Sequence, residues 1–201
     1  MKIICIGRNY ELHAKEFNHA VPQKPVFFLK PDSALLRRNR PFFYPAFSQE
    51  IHYELELVIR IDKVGKHIAK KFASSYYSEL ALGIDFTARD LQRESKDKGL
   101  PWEISKAFDN SAAISPFVPL SDLKHPLQFS LFQNGKQVQQ GNIEDMIFSF
   151  DQLIAYVSQF MTLKTGDLLY TGTPAGVGPV AIGDHLQAYL HDKKMLWCDI
   201  K

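Results

Sequence analysis

The stretch HYELELVIRI, residues 52–61, alternates polar and apolar side chains along its length. From Leu55 onward, leucine or isoleucine recurs at every second position, which is typical of a β-strand with one face against a hydrophobic core. The opposite face carries Glu54 and Glu56, whose carboxylates leave the strand on the same side, with Cα atoms about 6.7 Å apart. Two like charges this close repel each other unless water solvates them or a cation bridges them. This stretch alone leaves both interpretations open.

The segments around this strand combine short apolar runs with turn residues and show no regular β-α-β order. The elements that these runs predict are strands ending at residue 7 and over 26–29 and 168–170, and a helix over 146–161. Thr87 and Asp90 have the spacing of a capping box, so another helix is expected to begin there and to end at Gly99. Helices inserted among mostly non-parallel strands favour an α+β fold, and the length favours one domain over residues 1–201.

The composition is that of an ordinary globular chain, with 201 residues, 45% of them hydrophobic and 23% charged. The formal net charge of +2 is too small for the footprint of a nucleic-acid-binding protein. No stretch approaches the ~18 apolar residues of a membrane span, and the apolar start is too short for a signal peptide. Cys5 and Cys198 lack paired spacing and are expected to be reduced, buried thiols. A cytoplasmic location, with no nucleic-acid or membrane partner, is therefore expected.

Asp85 lies inside the apolar segment ALGIDF, residues 81–86. An ionised carboxylate among apolar neighbours is costly unless it is paired, hydrogen-bonded or bound to a metal. A salt bridge, or a cap for the following helix, explains Asp85 equally well. Together with Glu54 and Glu56, it makes an all-oxygen set that suits Mg²⁺, Mn²⁺ or Ca²⁺ rather than structural Zn²⁺.

Three polar residues that follow Asp85 are candidates for binding an anion. Arg89 and Gln92 are three positions apart on the predicted helix and share one of its faces. Lys106 is a lone cation in the segment ISKAF, residues 104–108. The alternatives are a solvated helix face for the first two residues and a surface lysine with a partly covered stem for the third.

The glycine-rich segment TGTPAGVGP, residues 171–179, follows a predicted strand. It lacks the spacing of a dinucleotide-binding loop and the Lys-Ser/Thr pair of a P-loop, so nucleotide binding is not expected. Its backbone N–H groups and the Thr173 hydroxyl are able to approach an anion closely. A tight turn between two strands explains the same glycines.

His13 and Glu16 are three positions apart on a short helix expected near the N-terminus. A carboxylate beside an imidazole orients the ring and raises its basicity, as a general base requires. An exposed ion pair is the alternative interpretation.

These residues belong to an ordered series of short segments: GRNY (7–10) followed by His13 and Glu16, FLKP (28–31), HYELEL (52–57), DFTARDLQ (85–92), KGLPW (98–102), SK (105–106), MIF (146–148) and TGTP (171–174). In this order they resemble the fumarylacetoacetate hydrolase family. The resemblance is closest to its small, single-module members of the acylpyruvase and oxaloacetate decarboxylase type. The segments extend over nearly the whole chain.

The resemblance implies a mixed β-sheet rolled into an incomplete barrel with inserted helices, usually in a homodimer. Larger members of the family carry an extra N-terminal domain and a further Asp ligand to the metal. No Asp precedes Asp32 in this chain, so only the pattern of the small members applies.

The same resemblance assigns roles to individual residues. The metal, Mg²⁺ or Mn²⁺, is implied on Glu54, Glu56 and Asp85, and the substrate among Arg89, Gln92, Lys106 and Thr173. A lid over about residues 9–25 carries His13 and Glu16, which are expected to be catalytic together with Lys106.

The reaction implied is Mg²⁺-dependent hydrolysis of a C–C bond in a 2,4-dioxo acid of the acylpyruvate or fumarylpyruvate type. His13 and Glu16 are expected to activate the water, and pyruvate leaves as its enolate. An oxaloacetate decarboxylase, a keto–enol tautomerase, or an isomerase of 2-hydroxyhepta-2,4-diene-1,7-dioate type would use the same enolate. A non-catalytic module that binds oxo acids is a further alternative.

Overall fold

The computed structural model describes residues 1–12 and 21–201, and its largest feature is a mixed β-sheet of eight strands. These strands are β1 (Ile3–Gly7), β2 (Val26–Lys30), β3 (Leu35–Leu36), β5 (Leu55–Arg60), β6 (Glu79–Asp85), β8 (Ala112–Ile114), β9 (Val118–Pro119) and β12 (Leu168–Tyr170). Seven of them follow the order β2-β1-β12-β5-β6-β8-β3, and β9 pairs with β6. The β1–β12 and β3–β8 pairs are parallel, and the other pairs are antiparallel.

Two smaller antiparallel sheets complete the described β-structure. One has the order β13-β4-β7, with β4 (Ile51–Tyr53), β7 (Thr87–Ala88) and β13 (Gly178–Pro179). The other has the order β11-β10-β14-β15, with β10 (Gln128–Gln133), β11 (Lys136–Asn142), β14 (His185–Leu190) and β15 (Lys193–Asp199). With few helices among these sheets, the chain forms a curled half-barrel of the α+β class, which confirms the predicted fold class.

Two strands change sheets side by side, and this crossing positions the acidic residues. Between β4 and β5 lies the single residue Glu54, and between β6 and β7 lies Phe86, directly after Asp85. The Asp85 backbone N–H donates to the Glu54 carbonyl over 2.8 Å, which ties the two crossings together. The strand predicted over residues 52–61 is therefore two strands, and the break falls at a predicted metal ligand.

The hydrophobic core explains the alternation that the sequence shows. Leu55, Leu57 and Ile59 of β5 lie in a large cluster with residues from β6, β10, β14 and helix 150–160. The opposite face of the large sheet packs a second, smaller cluster that includes Val58, Cys5 and Tyr170. Both cysteines, Cys5 and Cys198, are free and buried, as expected. Strand β5 is therefore covered on both faces, and Glu56 does not lie on a solvated surface, whereas Arg60 at the end of the strand is partly exposed.

The α-helices that lie wholly within the described residues are α1 (Lys70–Ala73), α2 (Arg89–Asp97), α3 (Glu103–Lys106) and α4 (Phe150–Phe160). Helix α4 begins with a capping box between Ser149 and Gln152, so it starts four residues later than predicted. Helix α2 begins as expected but has Ala88 at its N-cap, so the predicted Thr87 cap is wrong. In the part of the chain that the structure describes, no helix is long and apolar enough to cross a membrane.

Candidate functional site

Glu54, Glu56 and Asp85 meet at the crossing of the two strands. One carboxylate oxygen of each residue lies within 4.8 Å of the other two, and all three side chains are buried. Antiparallel pairing of β5 with β6 places Glu56 opposite Gly83, so the three acids share one end of this strand pair. The solvated strand face considered for Glu54 and Glu56 is therefore excluded, because their exposed fractions are 6% and 1%.

Lys106, on α3, bridges two of these acids. Its Nζ lies 2.7 Å from Glu54 Oε2, 2.8 Å from Asp85 Oδ2 and 2.5 Å from the Thr87 hydroxyl. Burial lowers the pKa of Lys106, but the attraction of Asp85 and Glu54 outweighs it, so the net shift is upward. Lys106 is thus a buried ammonium ion that donates three hydrogen bonds, and it is not the surface lysine considered as the alternative.

Arg89 and Gln92 form a second cationic group at the start of α2. Arg89 Nη2 donates to Glu54 Oε1 over 2.6 Å, and Nη1 donates to Gln92 Oε1 over 2.6 Å. Both side chains are buried, which excludes the solvated helix face. Glu54 is therefore held between Arg89 and Lys106, and the helix spacing of three residues produces the predicted pairing.

Lys30, at the end of β2, is a cation that the sequence interpretation missed. Its Nζ lies 2.7 Å from Asp85 Oδ1 and donates to the Ser111 hydroxyl over 2.9 Å. It also donates to the Lys106 carbonyl, and its side chain is fully buried. The sequence gives no periodic signal for this burial, since Lys30 stands at the end of a short strand just before a proline.

Glu56 has different partners from the other two acids. Its Oε2 accepts a hydrogen bond from the Gly172 backbone N–H over 2.7 Å. Among the residues that the structure describes, it forms no salt bridge. Burial raises the pKa of Glu56 well above its usual range, and the charge of Asp85 raises it further, while the Gly172 bond opposes both. A cation placed here would relieve this cost.

The loop after β12 carries Thr173 directly after Gly172, whose N–H contacts Glu56. The Thr173 side chain is buried, and its hydroxyl accepts a hydrogen bond from Gln139 Nε2 over 2.9 Å. Gln139, on β11, is a second residue that sequence interpretation missed, because the polar strand around it has the composition of a surface strand. The glycine-rich loop thus does more than turn the chain, since it supplies a bond to an acid of the site.

A sequence profile described as "Fumarylacetoacetate (FAA) hydrolase C-terminal" matches residues 2–201. The chain belongs to the fumarylacetoacetate hydrolase family. This membership confirms the resemblance drawn from the short segments. It also means that the chain belongs to a family of enzymes that includes hydrolases, decarboxylases and tautomerases.

Two curated relatives in this family carry names that refer to oxaloacetate. The chain is 44% identical over 191 residues to "Oxaloacetate tautomerase FAHD1, mitochondrial" of Bos taurus, with 94% of this chain and 86% of the relative covered. It is 45% identical over 185 residues to "Oxaloacetate decarboxylase, mitochondrial" of Dictyostelium discoideum, with 90% and 85% covered. Both names place those proteins in mitochondria, so the cytoplasmic location of this chain stays a prediction.

A solved structure of the family carries a different activity in its name. It is described as fumarylpyruvate hydrolase from Pseudomonas aeruginosa in complex with Mn²⁺ and pyruvate. Its TM-score to this chain is 0.94 at 37% identity, with all of this chain and 89% of that chain covered. The family fold therefore extends over the whole chain.

Residues 13–20 of the predicted lid, about residues 9–25, lie outside the described residues, and His13 and Glu16 are among them. Asn9, at its start, is buried and donates through Nδ2 to the Thr171 carbonyl over 2.8 Å. Its Oδ1 accepts from the Phe148 backbone N–H over 2.8 Å. Asn9 thus ties the beginning of this segment to the loop that carries Thr173, and the lid itself stays a prediction.

The acidic residues fit a hard divalent cation. Three buried carboxylates supply oxygen ligands only, as Mg²⁺ and Mn²⁺ prefer, and they converge within reach of one ion. The three buried cations Lys30, Lys106 and Arg89 balance the formal charge of the acids, so an added dication makes the site net positive. A positive, buried site suits an anionic ligand.

Proposed function

We propose that this protein is a divalent-metal-dependent enzyme that enolises 2-oxo acids, with oxaloacetate as the substrate and keto–enol tautomerisation as the reaction. The observation that carries the proposal is the buried cluster in which Lys106 bridges Glu54 and Asp85. Such a site stabilises negative charge that develops on an oxo oxygen. The names of the relatives at 44–45% identity favour oxaloacetate over the acylpyruvates placed first by the sequence interpretation.

The metal, Mg²⁺ or Mn²⁺, would be held by Glu54, Glu56 and Asp85. When bound, it supplies Lewis acidity toward the 2-oxo oxygen and the carboxylate of the substrate. The Mn²⁺ and pyruvate in the description of the Pseudomonas relative support this assignment.

Residues of the chain supply the groups for substrate binding, charge stabilisation and proton transfer. The Arg89 guanidinium, held by Gln92, supplies positive charge for a substrate carboxylate. The Lys106 ammonium keeps its proton, and its positive charge stabilises the oxygen on which enolate charge develops. Thr173 donates a hydrogen bond to the substrate. The proton taken from carbon 3 of oxaloacetate passes to the enol oxygen, with His13, oriented by Glu16, as the shuttle.

Hydrolysis of acylpyruvates is the second candidate, and the solved fumarylpyruvate hydrolase favours it. It needs the same stabilised enolate and, in addition, a water that His13 and Glu16 activate. A homodimer is proposed from the family resemblance.

Product analysis separates these reactions. Purified protein with Mg²⁺ or Mn²⁺ is incubated with oxaloacetate, acetylpyruvate and fumarylpyruvate, and products are identified by NMR. A tautomerase speeds keto–enol exchange of oxaloacetate without consuming it, a decarboxylase releases CO₂ and pyruvate, and a hydrolase yields pyruvate and a second acid. If the metal-loaded protein accelerates none of these reactions, the proposal is wrong.

His13→Ala tests the water-activating role. We expect it to reduce acylpyruvate hydrolysis far more than oxaloacetate decarboxylation, because only hydrolysis requires an activated water. The measurement is kcat for both substrates with the same metal. Equal losses on the two substrates would count against this division of labour.

A further inference from the structure

Gln139 joins the strand of the acidic residues to the loop that carries Thr173. Its Oε1 accepts a hydrogen bond from the Leu55 backbone N–H over 2.9 Å. Its Nε2 donates to the Thr173 hydroxyl and to the Pro174 carbonyl, each over 2.9 Å. Leu55 lies between Glu54 and Glu56 in the chain, so one buried amide spans the predicted metal ligands and the predicted substrate contact.

The two backbone groups fix the orientation of this amide. The Leu55 N–H only donates and the Pro174 carbonyl only accepts, so the oxygen of Gln139 must face Leu55 and the nitrogen must face Pro174. The nitrogen therefore also donates to Thr173 Oγ. Because this oxygen already accepts a hydrogen bond, its own proton is left to donate. Among residues 1–12 and 21–201, its acceptor is the Pro174 carbonyl at 3.5 Å, which is a long contact.

We propose that Gln139 is a positioning residue that makes Thr173 a hydrogen-bond donor to the carboxylate of a bound 2-oxo acid. The inference rests on the proposed function, which places Thr173 beside the substrate. If Gln139 were only a structural brace, replacing it would lower the stability of the fold. The effect of the replacement on ligand binding would then not depend on the Thr173 hydroxyl.

Two variants and a matched control separate these roles. Gln139→Met keeps the length of the side chain and removes the amide. Gln139→Glu keeps an acceptor for Leu55 but, when ionised, accepts from Thr173 and turns its proton away from the ligand. Gln137→Met is the control, because Gln137 lies on the same strand with an exposed side chain.

The probe is pyruvate, titrated calorimetrically into the Mn²⁺-loaded protein, with the thermal midpoint recorded for each variant. Gln139→Met is expected to weaken pyruvate binding about fivefold, the worth of one hydrogen bond. Gln139→Glu is expected to weaken it at least tenfold, and Gln137→Met to leave it unchanged. In a Thr173→Val background, Gln139→Met should weaken binding no further.

The double-mutant cycle decides the inference. Equal losses from Gln139→Met with and without the Thr173 hydroxyl would overturn it, as would a loss no larger than that of Gln137→Met. If the wild-type protein with Mn²⁺ binds no pyruvate, the proposed function falls and the inference falls with it. That result is distinct from normal wild-type binding with unaffected Gln139 variants, which overturns the inference alone.

Discussion

The acidic cluster has two sides that differ in the partners of their carboxylates. Glu54 and Asp85 are paired with buried side-chain cations, whereas the bond described for Glu56 comes from a backbone N–H. The first side is complete in the protein alone, since each of its carboxylates contacts two cations. The second side keeps a carboxylate whose ionisation burial opposes. The contrast indicates that side-chain cations hold two acids in place, whereas the third has no cationic partner among the described residues.

The largest expected effect is a loss of turnover, and we expect it for an acid from either side of the cluster. Asp85→Asn and Glu56→Gln should each reduce turnover about 10³-fold or more, because each removes a ligand of the proposed metal, which would stabilise the transition state by several kcal/mol. Steady-state kinetics across a Mn²⁺ titration measures this loss. Glu94→Gln, which alters an exposed acid paired with Lys98, is the control. Unchanged turnover by chelator-treated wild-type protein would refute the metal role.

The next largest effect is on stability and comes from removing a cation that pairs with Asp85. Lys30→Met should lower the free energy of unfolding by about 3–5 kcal/mol, because it leaves Asp85 buried without one of its partners. Denaturant unfolding measures the change, and Lys98→Met on the exposed surface is the matched control. Adding Asp85→Asn to Lys30→Met should recover part of the loss. Similar costs for the two lysine variants would show that the buried pair is unimportant.

A smaller effect on stability is expected from changing Gly172, whose backbone N–H contacts Glu56. Gly172 has φ +101°, and a Cβ there would lie 2.7 Å from Asn9 Cβ. Gly166 has φ +87° with open space around it, so Gly166→Ala carries only the backbone strain. We expect Gly172→Ala to lower the free energy of unfolding by about 1–3 kcal/mol more than Gly166→Ala does, as measured by thermal unfolding. It should also weaken Mn²⁺ binding, because the N–H that contacts Glu56 moves. Equal costs would contradict the close contact with Asn9.

The smallest effect distinguishes the two sides in the absence of metal. In chelator, Glu56→Gln should change the free energy of unfolding by less than about 1 kcal/mol, because it removes a repelled charge and keeps an acceptor for Gly172. Glu54→Gln should lower it by about 2 kcal/mol, because Arg89 and Lys106 lose a charged partner. If both variants destabilise equally, the asymmetry of the cluster is wrong.

The sequence singled out the three acids and two of their cationic partners, Arg89 and Lys106, but it missed Lys30 and Gln139. Alternation in residues 52–61 and an acid inside an apolar run marked Glu54, Glu56 and Asp85 as candidates, because these are local patterns, and the family resemblance implied their metal role. Lys30 and Gln139 are brought in by strand pairing and by packing between sheets, which no local pattern reports.

The predicted role of Thr87 shows how tertiary structure overrides a local rule. The spacing to Asp90 predicted a helix cap, but the Thr87 hydroxyl accepts from Lys106 instead, and Asp90 accepts from Ser48. The end of the helix was predicted correctly, because Gly99, with φ +64°, follows its C-cap residue Lys98. The strand break at Glu54 was not predictable from alternation, since both strands keep the same period across it.

The two buried cysteines lie in different sheets, and each therefore reports on a separate part of the molecule. Cys5 is on β1 of the large sheet and Cys198 is on β15 of the four-stranded sheet. Burial raises the pKa of the Cys5 thiol well above its usual range and that of Cys198 to about 12, so neither is reactive while its sheet is closed. The rates at which a thiol reagent modifies them under native conditions thus measure the opening of each sheet separately, without any introduced label.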